Sequence, residues 1–296
     1  MFKYLKVMFK LNDNLILFMA QIIDIHAHTS CRKLYGLCTD DASIEVIAQN
    51  MADNGIETTV LMPTYFPLKG TGVYNMDLLG RIKCRSGLKM FGSIDMTADV
   101  EAGLKELEQL ASERKIIGIK LYPGYQDFRL LGDNAFKVYE LASKFHLPVA
   151  VHTGSLHSCC NTKKCGTCRL EELEPLAHPF ELEPAAKAFP NVNFIACHMS
   201  NPEFDALFEV MARYKNVYTD ISGQLKTGSE EDIRDYRQFV SSQIQRFFNA
   251  YPERICFASD FPIQSVKTSL ELAANIDFHG KEDLFFYRNA KRIMEI

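Results

Sequence analysis

Two hydrophobic periods alternate from residue 22 to the C-terminus. Short apolar runs rich in β-branched residues occur at 22–28 (IIDIHAH), 58–63 (TTVLMP), 91–95 (FGSID) and 116–123 (IIGIKLYP). Four more follow at 147–154 (LPVAVHTG), 192–200 (VNFIACHMS), 216–222 (NVYTDIS) and 254–262 (RICFASDFP). Each is bounded by Gly, Pro, Asn or Asp, which predicts strands buried on both faces. Between them the spacing turns helical. Ile44, Ile47, Ala48 and Met51 fall at i, i+3, i+4 and i+7, and Gly55 supplies a stop signal. Val100, Leu104, Leu107 and Leu110 with Ala111 repeat the pattern. Asp133 is placed to cap a helix through Phe136, Tyr139 and Leu141, and Pro202 to occupy the first turn of one through Phe204, Leu207 and Met211. Residues 230–251 and 282–296 supply two further amphipathic helices.

Eight such alternations over about 275 residues predict an α/β fold, a single (β/α)₈ TIM barrel over 22–296. A doubly wound sheet satisfies the same periodicity. Polar residues separate the two, because a barrel gathers its reactive groups at the C-terminal ends of several strands. His26, His28, Lys120, His152, His198 and Asp260 all sit at such ends.

Composition excludes some classes. With 47% hydrophobic and 24% charged residues the chain can bury a large core and remain soluble. The net charge of -4 and the scattered basic residues offer no phosphate-neutralising surface, so no nucleic-acid partner is expected. Residues 1–21 form a basic, apolar lead-in. Asp13 and Asn14 split it below the roughly 18 apolar residues that span a bilayer, and a cut after Ala20 would place Phe18 where a signal peptidase needs a small residue. The expectation is therefore no membrane anchor, and either a strand closing the barrel floor or an upstream start with Met19 as the natural one. A cytoplasmic location follows, with the nine cysteines as thiols or metal ligands.

Asp24, His26 and His28 alternate along the first strand, which predicts one shared face. Two imidazoles so spaced can ligate one cation, although an isolated HxH matches by chance often. His152, His198 and Asp260 end three further apolar runs, where an unpaired buried polar or charged group costs several kcal/mol. A shared cation would satisfy them.

DIHAH, GIKLYPGYQDF, LPVAVHTG, FPNVNFIACH, VYTDISG, SDFP and the closing NAKRI together resemble the amidohydrolase superfamily. The resemblance spans Ile22 to Ile296 and is nearest to the branch that also contains aminocarboxymuconate-semialdehyde decarboxylase. It implies one divalent metal, usually zinc, held by His26, His28, His152 and Asp260. His198 would stand beside the metal-bound water as acid/base, and Asp260 would take the water's proton. Lys120 either contacts a substrate carboxylate, pairs with an acid or, carboxylated, joins His198 in holding a second metal. The implied function is a metal-dependent hydrolase of a small polar amide, lactone or ester; the alternative is a metal-dependent decarboxylase of a small carboxylated substrate. The expected partner is a small molecule, and the pattern is compatible with a homo-oligomer.

The 155–175 insert departs from that pattern. Cys159, Cys160, Cys165 and Cys168 lie among Lys163, Lys164 and Arg169, which favour thiolates. A structural zinc, free thiols in an active-site lid and redox pairing all fit. Cys84, Cys197 and Cys256 read as small core residues. Asp220 reads as an acid supporting the ligands.

Overall fold

In the computed structural model, residues 7–11, 14–18, 21–30, 37–65, 73–156, 169–224 and 226–296 are described. The eight strands are β1 (Ile22–Ala27), β2 (Ile56–Leu61), β3 (Leu88–Met90 resuming at Gly92–Ser93) and β4 (Ile119–Leu121), then β5 (Val149–Val151), β6 (Phe194–Ala196), β7 (Val217–Asp220) and β8 (Ile255–Cys256). All pairings among them are parallel and follow chain order. Phe91 interrupts β3, but its amide bonds Leu61 O and the Gly92 amide bonds Gly118 O, so the sheet turns there without opening. Closure runs between β1 and the end of β8. The Ile25 amide reaches Phe257 O at 3.3 Å, Asp260 N reaches His26 O at 2.7 Å and His28 N reaches Phe261 O at 2.6 Å. A sheet that closes on itself in chain order is a barrel, and the doubly wound alternative falls.

Helices α1 (Ile44–Asn54), α2 (Asn75–Ile82), α3 (Val100–Ser112), α4 (Asp133–Lys144), α5 (Leu182–Ala188), α6 (Phe204–Arg213), α7 (Glu230–Ala250) and α8 (Val266–Ala273) follow the strands in turn. Ser43 caps α1 by accepting from Val46 N, and Gly55 ends it at φ 65°, a left-handed turn that glycine enters cheaply. The periodic apolar residues of these helices pack onto the outward residues of the strands, among them Leu61, Leu121, Val151 and Phe194. The inward residues, Ile23, Ile25, Val60, Phe91, Ala150 and Ile195, form a second core with Ala290, Ile293 and Met294 of α9 (Asn289–Met294). The C-terminal helix is thus part of the barrel's filling.

Several expectations need correction. Residues 7–11 and 14–18 pair antiparallel with each other, and among the described residues neither joins the barrel sheet, so they are a hairpin and not a floor strand. Asp133 is the first residue of α4 and Gly132 its cap, without a side-chain bond. Pro202 follows a cis bond from Asn201 and lies ahead of α6, whose cap is Glu203. Cys84 is exposed, because it ends the turn after α2, whereas Cys197 and Cys256 are buried as expected. Cys159, Cys160, Cys165 and Cys168 lie outside the described residues.

Candidate metal centre and active site

The end of β1 is built by a bulge. Asp24 opposes Thr59 and Ala27 opposes Leu61, three steps against two, so β1 carries one extra residue. The bulge shifts the strand's alternation. Ile25 belongs to the inner core, while the His26 ring lies 5.2 Å from that of His28 and 4.9 Å from that of His198. Asp24 stays on the outer side, in a crevice with Ile47, Met51 and Val266. The expectation that Asp24 shares a face with both histidines therefore fails. Its carboxylate accepts from Ser259 N (2.9 Å), Ser259 Oγ (2.6 Å) and His26 N (3.2 Å), tying the strand that carries His26 to the loop that carries Asp260. Burial pushes this carboxyl up to about 7 against those donors.

The hydrogen-bond partners fix the imidazole tautomers. His28 Nδ1 lies 2.9 Å from Met62 O, a carbonyl that only accepts, so the hydrogen sits on Nδ1 and Nε2 presents a lone pair. His26 Nδ1 lies 3.1 Å from Asp220 Oδ2 and donates to it, leaving its own Nε2 bare. Burial, followed by the charges of Lys120, His28 and His152, holds the His26 imidazole well below its ordinary value, so it stays neutral. Both bare nitrogens point at one oxygen: Asp260 Oδ1 is 3.3 Å from His28 Nε2 and 3.6 Å from His26 Nε2. His26 Nε2 is buried without a hydrogen-bond partner. Three acceptors facing each other with no hydrogen between them repel unless a cation sits among them, and their donor atoms all fall within 4.8 Å of one another. The residues present therefore fit a divalent metal.

His198 stands beside this group at the end of β6, at φ 63° with Met199 at 50° and Ser200 at 54°. Its amide donates to Asp220 Oδ1 at 2.9 Å, which holds the uncommon left-handed backbone in place. Ser222 Oγ donates to Asp220 and so accepts from His198 Nδ1 at 2.9 Å. His198 Nε2 lies 3.1 Å from His152 Nδ1. Burial first, then the nearby His152 and His26, keeps His198 well below its ordinary value. Gly223 closes the site at φ +65°; a Cβ there would stand 2.7 Å from Asp260 Oδ2 and 2.8 Å from His198 Nδ1.

His26, His28 and Asp260 thus come together, with His198 alongside. His152 stands one ring further out. Its ring centroid is 4.7 Å from that of His198, and its Nε2 lies 3.3 Å from Ser155 O. Lys120 is fully buried, donates to Cys197 Sγ at 2.9 Å and lies 5.1 Å from the centre of the Tyr122 ring. Among the described residues no carboxylate pairs with it, and its partner is a thiol. Burial raises the Cys197 thiol well above its ordinary value, so the sulfur is a neutral acceptor. Ser222 and Gly223 were not singled out from the sequence, although they stand two and three residues after Asp220 in DISG.

A closed eight-stranded barrel whose strand ends bring two histidines and a carboxylate together is the architecture of a metal-dependent barrel enzyme. The amidohydrolase family model matches residues 23–294, and the chain belongs to that family of enzymes. No curated protein matches the sequence. Among solved structures, the chain is similar to a probable 2-pyrone-4,6-dicarboxylic acid hydrolase of Acinetobacter baumannii, at 14% identity and a TM-score of 0.66 over 93% of this chain and 100% of that one. It is similar also to 2,6-dihydroxybenzoate decarboxylase from Rhizobium (12%, 0.65, over 93% and 99%). A third is 5-carboxyvanillate decarboxylase from Novosphingobium aromaticivorans, solved with manganese (14%, 0.65, over 94% and 96%). At these identities the likeness is one of fold. Hydrolases and lyases both occur on it, and members of the superfamily bind a divalent metal. Among the described residues no helix is long and apolar enough to cross a membrane.

Proposed function

We propose that this chain is a metal-dependent hydrolase that directs water onto a small polar amide, lactone or ester. The observation that carries the reading is the convergence of proton-free His26 Nε2 and His28 Nε2 on Asp260 Oδ1. His26, His28 and Asp260 would hold one metal, with His152 as the fourth donor, and this nitrogen-and-oxygen set suits zinc. Such a cation would supply Lewis acidity and lower the pKa of a water to about 7.

The chain's own groups do the rest. Asp260 Oδ2 is held apart from the two β1 histidines, 3.9 Å from His198 Nδ1, and is the base that takes the proton of the attacking water. His198, neutral and fixed by Asp220 and Ser222, would give its Nδ1 proton to the leaving group and be restored by the proton that Asp260 Oδ2 has taken 3.9 Å away. Lys120 acts as a buried positive charge behind the histidines, which supports one metal over a second shared by Lys120 and His198.

A buried cation without a carboxylate partner among the described residues also favours a carboxylated substrate, which keeps a decarboxylase as the second reading. Product analysis separates the two. The metal-loaded enzyme, offered lactones, amides and carboxylated aromatics, should release ring-opened or cleaved product without CO₂; CO₂ release would make it a lyase. The reading further includes a cytoplasmic enzyme whose barrel domain spans 22–296. It also takes the four cysteines of the 155–175 insert as ligands of a structural zinc.

A further inference from the structure

Beside the metal centre the barrel face opens into a second cavity, of about 200 Å³. Its polar walls are the loop after β7, with Gln224 and Lys226, the loop after β8, with Gln264, the first turn of α8, with Thr268, and α7, with Tyr236 and Arg237; the loop after β1 and apolar residues of α7 and the β8 loop line the rest. The lining carries two cations and no carboxylate. Arg237 reaches Glu271 at 3.4 Å on an exposed side, a pair of little strength that uses one of five donors. The α8 helix begins here, so the positive end of its dipole faces the same space.

Two neutral groups have unused hydrogen-bonding capacity. The Tyr236 hydroxyl accepts from Asn201 Nδ2, and its own hydrogen has no acceptor among the described residues. Gln264 is 1% exposed, with Nε2 on Ser269 Oγ at 2.6 Å and Oε1 unpartnered. Turned over, the amide accepts from the Ser269 hydroxyl and leaves its NH₂ as the unused end.

The cavity is wired to the reacting groups. Gln224 Nε2 donates to His198 O at 2.8 Å and Ser222 O at 3.0 Å, and the adjacent Gly223 abuts Asp260 Oδ2. Barrel enzymes frequently hold phosphate between the loops after strands seven and eight and a helix N-terminus. We propose that this cavity is an oxyanion subsite, which holds a carboxylate or phosphate at the far end of the substrate through Lys226, Arg237 and Tyr236. The substrate is then an anion whose reacting group lies over His26, His28 and Asp260. Only that last placement rests on the hydrolytic reading; anion binding itself does not.

The test is calorimetric titration with inorganic phosphate and, separately, with malonate, on the metal-loaded protein and on protein stripped with chelator. At least one anion should bind at one site per chain in both states, and the preferred anion tells a phosphorylated from a carboxylated substrate. The double variant K226M/R237M should bind at least tenfold more weakly at unchanged Tm and metal content. Lys226→Met alone, at an exposed position, should weaken binding about threefold and keeps the test decisive if the double variant fails to fold. Binding only when metal is present would put the anion on the metal and overturn the proposal. Undiminished affinity in the variants, or no binding of either anion, would overturn it equally. Retained anion binding in a protein that takes up no barrel metal would leave the subsite standing and remove the hydrolytic reading.

Discussion

Replacing Gly223 by alanine probes the geometry of the site without touching a proposed ligand. The glycine holds φ +65°, a conformation that costs an alanine roughly 1 kcal/mol. The new Cβ would also stand 2.7 Å from Asp260 Oδ2 and 2.8 Å from His198 Nδ1. Ordinary contacts begin near 3.4 Å, so both side chains must retreat by roughly half an ångström or more. Overpacking of this kind adds about 1–3 kcal/mol, which with the backbone cost lowers Tm by about 5–10 °C. The retreat also matters for metal affinity, because Asp260 is offered with both bare imidazole nitrogens. Displacing a ligand's support costs about 10–100-fold in affinity or activity. Gly223→Ala should therefore remain folded in a thermal melt, bind zinc 10–100-fold more weakly in a competition titration, and lose turnover in proportion. A variant with wild-type Tm and zinc affinity would show that Gly223 does not pack on these side chains, and the placement of Asp260 and His198 at the metal would fall with it.

Other perturbations probe the rest of the account. Asp220→Asn removes the acceptor that fixes the His26 tautomer, so zinc affinity should fall about 10–100-fold while the fold persists; unchanged affinity would show that Nδ1 is held otherwise. Asp260→Asn should keep the fold and lose most activity, because an amide cannot take a proton from water; near-normal turnover with metal bound would assign the base elsewhere. In the metal-stripped protein, His26 and His198 have folded pKa values below their unfolded ones, so the unfolded chain takes up more protons. Their contribution is full above about pH 6.5 and is lost on acidification, whereas the raised Asp24 carboxyl acts in the opposite sense from about pH 7 down, so Tm should drop more steeply below pH 6.5 in Asp24→Asn than in the wild type; a flat Tm from pH 7 to 5 in that variant would contradict the burial of both rings as neutral groups. If the insert holds zinc, purified protein should carry metal beyond the barrel site. The excess should vanish in the C165S/C168S double variant; unchanged metal content would leave a thiol-bearing loop.

The barrel was legible because its signal is local and repeated. Each strand run is apolar on both faces and each helix carries a 3.6-residue stripe, so order and count emerge from short windows. The grouping of His26, His28 and Asp260 was legible for the same reason, since strand ends in a barrel converge on one rim. What the pattern hides is set by distant partners. The bulge that sends Asp24 outward depends on register against β2, and the Lys120–Cys197 contact joins positions 77 apart. Asp133 and Pro202 match good capping chemistry, yet Gly132 and a cis turn decide where α4 and α6 begin. Phe91 sits within a run that reads as one strand, and the sheet pairs it differently on its two sides.

The central claim is the metal centre, and diffraction at the zinc absorption edge from crystals of the zinc-loaded protein tests it most directly. The account predicts one anomalous peak at the C-terminal rim of the barrel, about 2.0–2.3 Å from His26 Nε2, His28 Nε2 and a carboxylate oxygen of Asp260. A rim without a peak, or a zinc there bound by other side chains, would contradict it.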